Sequence, residues 1–339
     1  MKLLYLSCHS ILEYLELSLF TEMGIDCFSC GAYINPEGHP SLPRPAIQGM
    51  KRHPELEKFA YEYPKTNLPQ ELIDWADVIM VMHTPEWITE NWGKIKGKKV
   101  IWRSIGQSLT SIENLLRPMR YEGMKIVRMS PMEENIPLQL GQDAMIRFHD
   151  DPKDLGNWNG TTVRVMNMTQ SLKARSGFCH FDDIMQITSG FPHLIYGSGN
   201  DNLGPANGGE LPYDLLKGAL RDNRTFVYGG TWPSPYTLSL IEAMMTGIPV
   251  VSIGTKLAEE LNAVAPVDRY HFFDIPNFIE NGVNGFVSDD IQELRKDLDL
   301  LLTDSLLAKK IGDAGRETAI KLFGKEKICA NWENFFKTL

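Results

Sequence analysis

The chain has 339 residues, too many for one ordinary core and comfortable for two domains. Its 43% hydrophobic and 23% charged residues are those of a folded enzyme and exclude a disordered chain. The formal net charge of −9 argues against a protein that holds a nucleic-acid backbone on a basic face, and the cluster Lys94, Lys96, Lys98 and Lys99 reads as a solvated loop.

From the N-terminus, Lys2–Ser7 is a short apolar run that predicts a strand buried on both faces. Residues 11–22 carry Leu12, Leu15, Leu19 and Phe20 at helical spacing, Gly24 ends the helix, and Ile25–Tyr33 reads as a second strand. This β-α-β opening predicts a parallel sheet. Residues 34–68, rich in Pro, Gly and His, predict a long surface connection. Then follow a helix to Asp74, a strand Asp77–Met82, a helix Pro85–Trp92, a strand Lys99–Arg103, a helix Ser111–Arg120, and strands Met124–Met129 and Asp143–Phe148. Turn formers and aspartates at 149–160 predict an interdomain linker. A second α/β series runs from the strand Thr162–Met168 through the helix Phe181–Thr188, the strand His193–Tyr196, the helix Leu211–Ala219 and the strand Thr225–Tyr228. The helix Pro235–Thr246, the strand Ile248–Ile253 and three C-terminal helices beginning near Asp290, Ser305 and Lys325 complete it. The fold class is α/β, with two doubly wound Rossmann-like domains. Residues 1–150 form the first, 151–160 the linker and 161–322 the second, and 323–339 form a terminal helix that packs back toward the first.

Five cysteines, Cys8, Cys27, Cys30, Cys179 and Cys329, are an odd number at irregular spacing, which points to a reducing compartment rather than a disulfide framework. The CxxC of Cys27 and Cys30 has no second pair and lies in a predicted strand, where residues three apart face opposite ways, so it reads as structural. No stretch approaches the roughly 18 apolar residues of a membrane span, and the N-terminal apolar run is too brief for a signal peptide, so the expected location is cytoplasmic.

The segment Tyr228–Val251 is the most informative. A strand ends in Gly229-Gly230; Ser234 is a suitable N-cap and Pro235 a suitable first helical residue. The free amides of Tyr236, Thr237 and Leu238, with the helix dipole, then make an anion site suited to phosphate. Glu242, a little over two turns along, can accept hydrogen bonds from ribose hydroxyls. Leu240-Ile241-Glu242-Ala243-Met244 with Gly247, Pro249, Val250 and Val251 resembles the donor-binding signature of glycosyltransferase family four, E-G-F-G-L-x-x-L-E-A-M-A-x-G-x-P-V-V. Phe278–Val287 resembles that family's E-I-V-x-x-G-x-N-G-x-L-V segment, and Ala314 through Trp332 is similar to its terminal helices. The resemblance covers residues 160–339 closely and 1–150 in general layout. It implies the GT-B architecture, two Rossmann-like domains facing across a cleft, and transfer of a sugar from a nucleoside-diphosphate sugar with retention of configuration and without a metal or other cofactor.

Two departures stand out. The first of the family's two glutamates is Ser234 here, and the arginine that accompanies a lysine on the donor pyrophosphate is Met168. Lys173 falls at the lysine position, and Arg175 is close enough to replace the arginine. The turn Gly197-Ser198-Gly199-Asn200 resembles the family's G-D-G-P turn, and equally reads as a plain tight turn. On the expected acceptor side, His83 and His9 follow strands at the functional edge of the first sheet, as do Arg103 and Gln107. Glu133 either acts on an acceptor hydroxyl or caps a helix. The expected partners are a nucleotide-sugar donor and an acceptor that is a glycan, a small molecule or a modified nucleic acid. Three alternatives remain in the sequence: an inverting or hydrolysing enzyme of the same architecture, such as a nucleotide-sugar epimerase; a phage-type transferase acting on hydroxylated DNA bases; and a nucleotide-sugar-binding module without catalysis.

Overall fold

A computed structural model describes residues 1–7, 9–31, 33, 44–59, 67–106, 109–261 and 266–339. The chain divides into two compact units, Met1–Phe148 with Ile328–Leu339, and His149–Lys327.

The first unit opens with β1 (Lys2–Leu6), α1 (Ser10–Glu22) and β2 (Asp26–Ser29). It continues through α2 (Gln70–Trp75), β3 (Val78–Met82), α3 (Glu86–Thr89), α4 (Trp92–Ile95), β4 (Lys99–Arg103), α5 (Thr110–Tyr121), β5 (Lys125–Arg128) and β6 (Ala144–Met145). Among the described residues these six strands run parallel in the order β2-β1-β3-β4-β5-β6. β1 and β3 are almost wholly apolar because helices cover both faces of a parallel sheet. The helix expected over Pro85–Trp92 is two short helices, α3 and α4, with the buried Asn91 between them. Its side chain accepts from the Leu68 amide and donates to the Trp87 carbonyl, a side-chain bond to backbone that competes with helix continuation. Within this unit the C-terminal Trp332 packs edge-on against Phe20, with ring centroids 5.1 Å apart.

The second unit contains α6 (Pro152–Leu155), β7 (Thr162–Met168), α7 (Ser176–Cys179), α8 (Phe181–Thr188), β8 (His193–Tyr196), β9 (Asn207–Gly209), α9 (Tyr213–Asp222) and β10 (Asn223–Tyr228). It continues with α10 (Leu238–Thr246), β11 (Val250–Ile253), α11 (Thr255–Glu259), β12 (Phe286–Ser288), α12 (Ile291–Thr303), α13 (Ser305–Phe323) and the start of α14 (Lys325–Phe336). Its parallel sheet has the order β12-β11-β10-β7-β8-β9. Residues 149–160 are packed structure of this unit. Trp158 donates from its backbone to the Thr246 carbonyl and from its indole to the Asn223 carbonyl, and Arg316 binds the carbonyls of Pro152 and Gly156. The tryptophan and the arginine's remote partners outweigh the turn-forming composition.

In each sheet the chain builds outward on one side and then returns to build on the other. The reversal falls between β1 and β3 in the first unit and between β7 and β10 in the second. Crevices at the carboxyl ends of strands at such reversals are where open α/β sheets bind ligands.

Candidate functional site

In the second unit, β10 ends at Tyr228 and the chain passes through Gly229 and Gly230 to a tight turn in which the Ser234 amide donates to the Thr231 carbonyl. Ser234 is not the N-cap of α10. Its hydroxyl donates to the Tyr236 carbonyl at 2.6 Å, and the helix begins at Leu238 with Thr237 in the N-cap position. The buried Tyr236 ring packs on Phe323 at 5.1 Å, which holds Pro235 and Tyr236 outside the helix although local sequence favours a start there. The anion-binding amides therefore shift. Tyr236 precedes the helix, and the Thr237 amide donates to the Tyr228 hydroxyl at 2.9 Å. The amides of Leu238 and Ser239 lie in the first turn, where helix geometry supplies no intrahelical acceptor. Thr237, Leu238 and Ser239 are all partly exposed, and the Thr237 and Ser239 hydroxyls lie 2.8 Å apart. Glu242 is 3% exposed and sits one turn after Leu238 rather than two turns after the cap. Burial pushes the Tyr228 hydroxyl above its ordinary pKa, so it stays protonated beside the helix terminus.

β7 is the neighbour of β10, so the loop after it lies at the same sheet edge. This loop carries Lys173, exposed, and Arg175, half-buried. The Lys173 ammonium is 5.9 Å from the centre of the Phe181 ring, and the Arg175 guanidinium donates to the Gln170 carbonyl at 3.4 Å. The loops after β7 and β10 are joined by a hydrogen bond from the Trp232 amide to the Phe178 carbonyl and a 3.7 Å contact between Cys179 Sγ and Thr231 Oγ1. After β8, Gly197 takes φ 130° and donates to the Gly209 carbonyl. A Cβ on Gly197 would sit 3.1 Å from the backbone of Thr169 and Gln170. This glycine is needed for loop-to-loop approach. The Ser198 carbonyl accepts from the Ser171 amide.

In the first unit, His9 and His83 follow the adjacent strands β1 and β3 at the chain reversal. His9 is the N-cap of α1, its Nδ1 3.4 Å from the Leu12 amide. Both histidines are exposed. Reduced hydration of the charged form, reinforced by the nearby His83, holds the His9 pKa below the usual value. His83 has φ 71°, an uncommon backbone conformation for a residue with a side chain.

Arg103 differs from its expected place. Arg103 is 0% exposed. Its guanidinium binds Glu16 and the Ile146 carbonyl and lies 4.2 Å above the Phe148 ring, so it is a core anchor and not a residue of an open edge. Glu133 is buried in a capping box. Its Oε1 accepts from the Ser104 hydroxyl and the Met129 and Ser130 amides, which corresponds to the capping alternative. Gln107 lies outside the described residues. Among the described residues no three His, Cys, Asp or Glu side chains are grouped as metal ligands, and no helix is long and apolar enough to cross a membrane.

Among solved structures the whole chain is similar to HepE of Anabaena, solved with UDP and glucose (TM-score 0.68, 15% identity, 100% of each chain covered). It is also similar to a glycosyltransferase of Rickettsia africae (0.66, 13% identity, 99% of this chain and 98% of that one). A further likeness is to sucrose-phosphate synthase of Thermosynechococcus elongatus (0.64, 13% identity, 100% and 98%). The fold is that of the GT-B glycosyltransferases. No protein-family model matches the sequence, and no curated protein shows significant similarity to it.

Within this GT-B chain, the second unit brings Lys173, Arg175, Gly197, Ser198, Thr237, Leu238 and Glu242 to one sheet edge, and the first brings His9 and His83 to one chain reversal. Sequence reasoning overlooked Tyr228, which takes the Thr237 amide, and Ser239, whose amide and hydroxyl join the helix terminus. No local signal marks Tyr228, because its partner is set by the turn between β10 and α10.

Proposed function

We propose that this protein is a glycosyltransferase that takes a sugar from a nucleoside-diphosphate sugar, with the donor on the second unit. The observation that carries the reading is the start of α10. Thr237, Leu238 and Ser239, which are partly exposed and bring two first-turn amides and two hydroxyls, stand at the chain reversal of a GT-B sheet, with a carboxylate one turn in and two cations on the adjoining loop. A helix N-terminus carries about half a positive charge and favours a phosphate. In this reading the amides of Leu238 and Ser239 bind the diphosphate, and Glu242 accepts the ribose hydroxyls. Lys173 and Arg175 stabilise the negative charge that grows on the leaving diphosphate, the main electrostatic demand of the reaction. His83 and His9 serve the acceptor side on the first unit, and Gly197 and Ser198 shape the donor loop. Transfer proceeds with retention and without a metal. UDP is the first nucleotide to test, because the similar HepE was solved with UDP.

The test is thermal stabilisation and calorimetry with ADP, CDP, GDP, TDP and UDP, on the wild type and on Glu242→Ala. A ligand at a hundredfold its Kd stabilises the folded state by about 2.7 kcal/mol, a shift that is easily read. One nucleotide that stabilises the wild type but not Glu242→Ala supports the reading. No shift with any nucleotide at millimolar concentration overturns it. One observation favours a second reading, a nucleotide-sugar-binding module without transfer: Ser234, where the family carries its first glutamate, spends its hydroxyl on the Tyr236 carbonyl. Donor binding with neither transfer nor hydrolysis of the sugar would establish it. NMR of the product's anomeric centre tests retention.

A further inference from the structure

The loops after β7 and β8 stay joined beyond the end of the sheet. β7 and β8 pair up to Met168 and Tyr196. The Thr169 amide then donates to the Tyr196 carbonyl at 3.0 Å, and the Ser171 amide to the Ser198 carbonyl at 2.8 Å. At the next step the backbone ladder is replaced by one side chain. Asn200, 1% exposed, accepts the Leu172 amide on Oδ1 at 2.9 Å. Its Nδ2 donates to the Thr169 carbonyl at 2.8 Å and to the Gly197 carbonyl at 3.0 Å. A single carboxamide thus clamps both ends of the 169–172 turn to the strand-end glycine of β8. The clamp holds a turn in which Ser171 has φ 49°, a left-handed conformation that residues with a side chain rarely adopt. Lys173 is the residue after Leu172, and the Arg175 amide donates to the Ser171 carbonyl at 2.9 Å. Both cations therefore depart from a backbone whose shape Asn200 sets.

We propose that Asn200 is a positioning residue for the donor diphosphate: it fixes the backbone from which Lys173 and Arg175 reach the ligand, without touching the ligand itself. This rests on the donor-site reading above. Only an amide side chain supplies an acceptor for Leu172 together with two donor hydrogens for the carbonyls of Thr169 and Gly197. Alanine removes all three bonds. Serine keeps one hydroxyl on a shorter stem and cannot span them.

The experiment is calorimetric titration of the full chain with UDP. The variants are Asn200→Ala, Asn200→Ser, Lys173→Ala with Arg175→Ala, and the triple variant combining those two alanines with Asn200→Ala; each is checked for folding by its melting curve. The expected result is a loss of about tenfold in UDP affinity for Asn200→Ala, and less than about threefold further loss when Asn200→Ala is added to the variant that lacks both cations. A general loosening of the fold would not show that dependence on Lys173 and Arg175. If Asn200→Ala does not fold, Asn200→Ser carries the same comparison. UDP binding that Asn200→Ala retains in full, or that falls equally with and without the two cations, overturns the role of Asn200 while leaving the donor site standing. Absence of UDP binding by the wild type overturns the donor-site reading for UDP and this inference with it.

Discussion

Removing the carboxylate of Glu16 strands a buried charge. Arg103 is wholly buried, its Nε 2.9 Å and its Nη2 2.8 Å from Glu16 Oε1, with Nη1 donating to the Ile146 carbonyl at 2.7 Å. Glu16 also accepts the Tyr5 hydroxyl at 2.7 Å. In Glu16→Ala the guanidinium keeps one carbonyl and the faces of Phe148 and Trp332 but loses its counter-charge. Breaking a buried pair on one side costs about 3–5 kcal/mol. At roughly 2–4 °C per kcal/mol for a domain of 150–250 residues, the melting transition of the first unit falls by roughly 6–20 °C. Replacing both partners, Glu16→Met with Arg103→Met, keeps the volume apolar and recovers most of that loss, because no charge is left to desolvate. The assay is calorimetric melting, with tryptophan emission as a second probe since Trp332 lies 5.3 Å from the guanidinium. UDP affinity is expected to be unchanged, the pair being in the first unit. An Arg103→Met chain that melts like the wild type yet loses turnover would refute the assignment of Arg103 to the core and return it to the functional edge.

Acid tests another ion cluster. Burial by itself would raise the pKa of Asp143, but the Ile126 amide with Lys125 and Arg120 outweighs it and holds the carboxyl below its ordinary value. A depressed carboxylate stabilises above its unfolded pKa and loses that contribution as pH falls through the folded one. The stability gap between wild type and Asp143→Asn should therefore be full at pH 7 and shrink below about pH 4 in urea titrations. Burial pushes the Cys27 thiol up to about 12, so mass-spectrometric mapping with a maleimide should find Cys27 unmodified in the native protein and modified once unfolded. Gly312→Ala would ordinarily favour a helix by about 1 kcal/mol; in α13 the new methyl meets the Gly247 carbonyl, so the variant should lower the melting temperature. Salt should weaken the binding of UDP by the wild type more than by Lys173→Ala, seen as a shallower ionic-strength dependence in the variant.

The segments whose hydrophobic pattern is strong locally were legible in the sequence. β1, β3, β4, β7 and α12 to α14 lie within two residues of where periodicity put them, except the frayed C-terminal end of α14, because buried parallel strands and amphipathic helices write their burial into consecutive side chains. The helix α10 that carries Glu242 was likewise legible as a motif. The helix start was not. Ser234-Pro235 is a sound local signal, but Phe323, far along the chain, takes Tyr236 into the core and moves the start to Leu238. Glu133 shows the opposite case, a capping box contained within four residues and readable from them.

By itself, then, the sequence determined the alternation of strands and helices, the two α/β series and the approximate place of the α10 motif, all properties of neighbours within a few residues. Tertiary structure alone decided which polar residues are spent on the fold. Arg103 and Lys173 look equally available in the chain. Only the packing of α1 against the first sheet gives Arg103 its carboxylate, and only the pairing of β7 with β8 lets Asn200 shape the turn before Lys173. Ionic and hydrogen-bonded partners act over a few ångströms in space and leave no periodic mark in the sequence that separates them.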